Sequence, residues 1–164
     1  IPKFENYEVS SNGIVRRIKK NGDYYYLNPN KNSEYLRVCL MKNGQRYYNV
    51  VHRLVATLFI PNPNNKFVVD HINGNGLDNR RNNLRICTHS ENNMNKPLQS
   101  NNKLGYKGVY FKEKEKRVKK YQCYIWVDNK RISGGYFKTA KEAALKYNEL
   151  AIKYHKEFAK LNII

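Results

Sequence analysis

The stretch "VVDHINGNGLDNRRNNLRICTHSENN", Val68 to Asn93, constrains the fold more than any other part of the chain. An apolar run (Phe67 to Asp70) ends on the pair Asp70-His71, a loop crowded with Gly, Asn and Arg follows, and a second apolar run (Leu84 to Cys87) leads onward. Gly and Asn tolerate the backbone conformations that reverse a chain, so the loop returns the second run beside the first. A helix is expected next, beginning at Thr88 or Ser90, since either side chain caps free amide groups. The order is therefore strand, loop, strand, helix. Neighbouring residues of a strand point to opposite sides, so Asp70 and His71 diverge at the strand end.

That pattern suits one kind of chemistry. Hydrolysing a phosphodiester needs an activated water, neutralisation of charge on the phosphorane, and help for the leaving oxygen. A neutral histidine supplies the first, and a divalent ion supplies the other two. Asp70 offers a hard anionic oxygen for such an ion, and Asn92 on the following helix offers a second oxygen while leaving sites open for phosphate and water. Charge points to the same substrate class. With 31 Lys+Arg against 13 Asp+Glu, the net charge is +18, which makes a polyanion the expected partner. The excess is spread along the chain: residues up to Leu98 carry 15 basic and 7 acidic side chains, and those from Gln99 carry 16 and 6.

"DH…NNL…SENN" resembles the HNH branch of the His-Me finger, or ββα-metal, nucleases: Asn83 lies twelve residues after His71 and Asn92 twenty-one after it. The preceding "VHRLVATLFIPNP" is similar to the segment that leads into this motif in phage and intron homing endonucleases. The resemblance implies that His71 is the general base, that Asp70 and Asn92 hold the metal, and that Asn83 braces the loop orienting His71. Asn93 adjoins Asn92, and the spacing from Asp70 favours Asn92. It also implies one Mg²⁺ (or Mn²⁺) per site and products with 5′-phosphate and 3′-hydroxyl ends. His52 reads either as a capping or packing residue or as a phosphate contact; His89 and His155 read as structural or exposed. Arg53, Arg80, Arg81 and Arg85 are candidate phosphate clamps, with a solvated surface as the alternative.

Two flanking segments carry further resemblances. "FENYEVSSNGIVRRI" forms two short strands around Asn12-Gly13 and resembles a modular motif that often precedes the nuclease core, which implies an accessory DNA-contacting hairpin at about 1–20, with Arg16 and Arg17 at the DNA backbone. Simple extension of a sheet is the alternative. "KPLQSNNKLG" reads as a linker. Beyond it, strands at Gly108–Phe111, Tyr121–Val127 and Lys130–Phe137 precede a helix capped by Thr139, whose Ala143, Ala144, Tyr147, Leu150, Ala151 and Tyr154 share one stripe. This segment resembles the APETALA2-type DNA-binding domain, through Gly108-Val109, "GGYF" and "FAKLN". Alternation puts Cys123, Ile125 and Val127 on one face and Gln122, Tyr124 and Trp126 on the other. The resemblance nominates Lys107, Tyr110, Lys112, Tyr124, Trp126, Arg131 and Ser133 for DNA. "KEKEKRVKK" is expected to be a hairpin loop, solvated or on phosphate.

The expected fold class is α+β: an N-terminal ββα-metal nuclease core with accessory hairpins (1–98), a linker (99–106), and a three-stranded antiparallel sheet packed on one helix (107–164). The expected function is a metal-dependent homing-type endonuclease of double-stranded DNA, encoded by a phage or mobile element. A non-catalytic DNA-binding regulator and an RNA-binding protein are the alternatives. A monomer is the simplest state and a dimer is possible. No apolar run reaches the roughly 18 residues that cross a bilayer, so no membrane partner is expected. No secretory signal is visible, and an intracellular, cytoplasmic site of action is expected. Cys39, Cys87 and Cys123 form no CxxC pair, so no structural zinc is expected.

Overall fold

In the computed structural model, which describes residues 1–113 and 118–164, the chain divides into two compact units, Ile1–Thr88 and His89–Ile164. The loop "KEKEKRVKK" lies partly outside the described residues.

The first unit is built from hairpins whose turns the sequence marks. Strands β1 (Tyr7–Val9) and β2 (Val15–Ile18) pair antiparallel, with Tyr7 opposite Arg17. Gly13 takes φ +82° in the turn between them, a conformation glycine adopts without strain. A third strand, β3 (Tyr24–Tyr26), extends this sheet past the hairpin limit read at about residue 20. A second sheet has the order β4 (Asn30–Asn32), β5 (Tyr35–Lys42), β6 (Gln45–Val50). Its tight turn is Asn43-Gly44, both at positive φ, which matches the right-handed twist of the flanking strands.

Helix α1 (Val51–Phe59) follows directly and buries Val51, His52, Val55 and Ala56 on one side. Pro61 and Pro63 stop it, since neither offers an amide hydrogen to continue the ladder. Strands β7 (Val68–His71) and β8 (Leu84–Cys87) form the two-stranded sheet that the opening stretch predicts, with Asp70 opposite Arg85 and His71 opposite Leu84. One core joins these parts: Tyr7, Val9, Val15, Val38, Leu40, Val51, Val55 and Leu84. Each such aliphatic side chain contributes about 1.5–3 kcal/mol when fully buried. The N-terminal hairpin is therefore part of the same hydrophobic body as the segment carrying Asp70 and His71.

In the second unit, α2 (His89–Asn95) is followed by β9 (Val109–Phe111), β10 (Tyr121–Val127) and β11 (Lys130–Phe137), in sheet order β11-β10-β9, and then by α3 (Ala140–His155). Thr139 and Glu142 form a reciprocal capping box at the start of α3. Ala143, Ala144 and Ala151 are fully buried, which lets the helix lie close against Cys123 and Ile125 of the sheet. Gly108 and Gly134 serve the same close packing. A Cβ at Gly108 would collide with the Tyr147 ring, and one at Gly134 would fall 2.9 Å from Cys123 Sγ.

The boundary between compact units precedes the expected linker. The Lys107 ammonium, on the approach to β9, donates to the carbonyls of Met94 (2.6 Å) and Lys96 (2.7 Å) and so ties α2 and the chain after it to this unit. Gln122 shares the sheet face of Tyr124, whose ring stacks on Tyr110, the register partner of Gln122, and it is buried there between Tyr110 and Tyr136 on the neighbouring strands.

Candidate active site

Asp70 and His71 close strand β7 in a poorly solvated place, 5% and 6% exposed respectively. Across the ladder, Arg85 Nε and Nη2 both donate to the same Asp70 oxygen, Oδ2, at 2.8 and 2.7 Å. This geometry follows from the register, since Asp70 and Arg85 are direct partners. It fixes the carboxylate and occupies the Arg85 side chain, which is only 15% exposed. Arg85 is thus an internal partner of Asp70 and is not presented as a phosphate clamp.

The loop from residue 72 to 83 is stitched by its asparagines. Asn83 Oδ1 accepts from the Asn73 amide (3.0 Å), Asn83 Nδ2 donates to the Asp78 carbonyl (2.8 Å), and the Asn83 carbonyl accepts from the Ile72 amide (2.8 Å). Asn73 and Asn75 in turn accept from the amides of Asn75 and Leu77. Asp78 receives both Arg80 Nε and Nη2, and this pair holds its carboxyl down to about 2.

Three side chains of the same unit are among the neighbours of the His71 ring. Asn79 Oδ1 lies 3.2 Å from His71 Nε2. The Tyr35 ring stacks at 5.9 Å, and the His52 ring meets it edge to face at 4.9 Å. His52 is itself 6% exposed, and burial, with the neighbouring His71 and Arg53, lowers its pKa to about 4. Of the two readings of His52, packing is the one its position fits. Gly76 lets the loop approach this cage, since a Cβ there would strike the Glu34 carbonyl and the Tyr35 ring.

This segment matches known proteins. The model of the HNH endonuclease family matches residues 49–94. The chain carries an HNH endonuclease domain. A second model, of the NUMOD4 motif, matches residues 1–41, the two N-terminal sheets up to β5. Two uncharacterized HNH endonucleases of Acanthamoeba polyphaga mimivirus, L247 and L245, are 42% and 38% identical over 94 and 89 residues, or 56% and 54% of this chain. The chain spans about a quarter of their length, 23% and 26%. A solved structure titled "DNA binding and cleavage by the HNH homing endonuclease I-HmuI" is 36% identical, covering 53% of this chain and 49% of that one, with a TM-score of 0.47.

Within the HNH domain, Asp70 is a hard carboxylate donor and Asn92 an amide oxygen donor on α2, in the second unit. Among the described residues no group of three or more His, Cys, Asp or Glu gathers as a cluster. Carboxylate and amide oxygens are hard donors of the kind that suit a divalent cation.

The remaining nominated cations divide. Arg53 is exposed on α1. Arg81 Nε donates to the Phe59 carbonyl at 3.0 Å. Arg16 pairs with Glu8 at 2.6 Å and lies 3.7 Å over the Tyr24 ring, while Arg17 is exposed. In the second unit, Tyr110 and Tyr124 stack at 4.3 Å, Trp126 stands edge-on to Tyr124, and Arg131 lies over the Tyr124 ring at 5.1 Å. Trp126 is 56% exposed, and Ser133 is exposed beside this strip. Lys112 is partly buried. Lys107 differs from these: its ammonium is spent on two carbonyls, and burial, with Lys160 near, lowers its pKa to about 8. No helix among the described residues is long and apolar enough to cross a membrane.

The contacts of Asn79, Tyr35 and His52 with His71 carry no direct signal in the sequence. Asn79 sits in "LDNRRNN", where an asparagine reads as a turn residue, and Tyr35 precedes the HNH segment altogether.

Proposed function

We propose that this chain is a homing-type endonuclease that hydrolyses phosphodiester bonds of duplex DNA. The observation that carries the reading is a buried histidine, His71, held at Nε2 by Asn79 beside the carboxylate of Asp70, inside an HNH endonuclease domain.

His71 acts as general base, taking the proton of the attacking water on the ring nitrogen that Asn79 does not engage. Asp70 would hold a divalent ion, with Asn92 as the second ligand that the motif implies, and the ion would supply Lewis acidity to the reaction. Arg85 orients the Asp70 carboxylate, and Asn83 keeps loop 72–83 in the shape that fixes His71. Exposed Arg53 and Arg17 add charge for the DNA backbone.

The second unit, with its resemblance to the APETALA2-type domain, holds the nuclease on duplex DNA through the Tyr110, Tyr124, Trp126, Arg131 and Ser133 side of its sheet. Phosphate contacts supply much of the affinity for a chain of net charge +18. A single HNH domain acting as a monomer cuts one strand per encounter, so nicking is the simplest product.

One observation favours the rival reading of a non-catalytic DNA-binding protein: the Arg85 guanidinium already neutralises Asp70. Supercoiled plasmids incubated with the full chain, with Mg²⁺ or with EDTA, separate the two. Open circles that need Mg²⁺ support the nuclease. Plasmid that is bound but uncut under both conditions supports the rival. Competition between duplex DNA and RNA decides the polymer, and a preference for RNA overturns the DNA assignment.

A further inference from the structure

A side chain that touches the His71 ring, at Nε2, is not one of the residues that the HNH motif names. We propose that Asn79 is the positioning residue of His71, and that the Ser10–Gly13 turn of the N-terminal hairpin holds Asn79 in place. The consequence for catalysis rests on the nuclease reading; the geometry does not.

Asn79 is 4% exposed, so its amide does not exchange partners with bulk water. Its Nδ2 donates to the Leu77 carbonyl at 3.4 Å, which turns Oδ1 toward His71 Nε2 at 3.2 Å. An amide oxygen only accepts, so Nε2 carries the imidazole hydrogen. The ring's acceptor is then Nδ1, and one tautomer is selected before any substrate arrives.

The N-terminal turn limits where Asn79 can go. Gly13 approaches so closely that a Cβ there would stand 3.0 Å from Asn79 Cβ and 3.3 Å from Val51 Cγ1. The Ser11 carbonyl accepts from the Arg81 amide at 2.7 Å, fastening the turn to the chain two residues past Asn79. The turn is prebuilt: Ser10 Oγ accepts from the amides of Asn12 and Ile14, and Gly13 N donates to the Ser10 carbonyl at 3.0 Å. A hairpin far from the motif in sequence thus forms the wall behind the residue that orients the base.

The test combines a spectrum with kinetics on the full chain. A long-range ¹H–¹⁵N spectrum of the wild-type protein, recorded where its imidazoles are neutral, reads the His71 tautomer. The His71 signal is assigned by its disappearance in His71→Gln. The Nε2–H form is expected, and the Nδ1–H form overturns the proposal.

Plasmid nicking then compares Asn79→Ala, Asn79→Asp and Gly13→Ala at equal DNA occupancy. Misplacing a base by about 1 Å costs on the order of 100-fold. Asn79→Ala is expected to lower kcat roughly 10- to 100-fold with KM nearly unchanged, the acceptor-retaining Asn79→Asp to recover most of it, and Gly13→Ala to lower kcat about 10-fold. A folded Asn79→Ala with wild-type kcat refutes the positioning role. If Asn79→Ala does not fold, the wild-type tautomer still decides. If the wild type cuts no DNA, the nuclease reading fails while the spectrum judges the Asn79 contact.

Discussion

His52 of α1 and His71 of β7 meet edge to face with ring centroids 4.9 Å apart, both nearly excluded from solvent. Two imidazoles this close cannot both be charged at low cost, and His52 is the one that burial keeps neutral, with its pKa near 4. The neutral ring packs against His71 without placing a charge beside it.

The pair makes the first unit acid-sensitive. The folded pKa of His52 lies below its ordinary value of 6.5, so the unfolded chain binds more protons between the two values. Stability is fully present above pH 6.5 and is lost as pH falls toward 4, by on the order of 3 kcal/mol. Urea unfolding from pH 7 to 4 is expected to show that decline. His52→Phe, which keeps a ring but cannot titrate, should flatten it; an unchanged slope in that variant contradicts the assignment.

Asn83 should be a stability residue of the loop as well as a motif letter. Replacing it by Ala removes two side-chain bonds and leaves the Asn73 amide and Asp78 carbonyl to find other partners. The expected cost is about 1–3 kcal/mol. Chemical denaturation reads this directly, together with faster amide exchange at Asn73.

Much of this site is legible in sequence, for identifiable reasons. Asp70, His71 and Asn83 announce themselves because a strand, a loop of fixed length and a second strand place them by local geometry alone. Asn43-Gly44 and Asp128-Asn129 mark turns that form at positive φ, because few other pairs adopt that backbone cheaply. Asn79 was not legible, since its role depends on Gly13 and Ser11 arriving from another hairpin. Strands β3 and β4, "YYY" and "NKN", show no apolar alternation, being exposed along their whole lengths. Lys107 and Arg85 look like phosphate ligands in a basic chain; only the fold shows their charges turned inward, onto carbonyls and onto Asp70.

The capping box at Thr139 gives a separate handle on the second unit. Thr139 Oγ1 accepts from the Glu142 amide at 3.2 Å, and the Glu142 carboxylate accepts from the Thr139 amide at 3.4 Å. Thr139→Ala is expected to cost about 1 kcal/mol. Thermal unfolding should register the loss, and Thr139→Ser should restore most of it.

The exposed aromatic strip of the second unit predicts a binding phenotype distinct from a catalytic one. Trp126→Ala and Arg131→Ala are expected to weaken duplex binding, while nicking at saturating DNA stays near the wild-type rate. Binding should also fall steeply with salt, as for any protein that displaces counterions from phosphates. Fluorescence anisotropy across a salt series checks both. Wild-type affinity in both variants contradicts the use of this face.

The central claim is that His71 is the base of a DNA-cutting site, and His71→Ala tests it most directly. The variant and the wild type are compared on one supercoiled plasmid with Mg²⁺, with duplex binding measured in parallel. Nicking is expected to fall by at least about 100-fold while binding is unchanged. A variant that nicks at the wild-type rate contradicts the account.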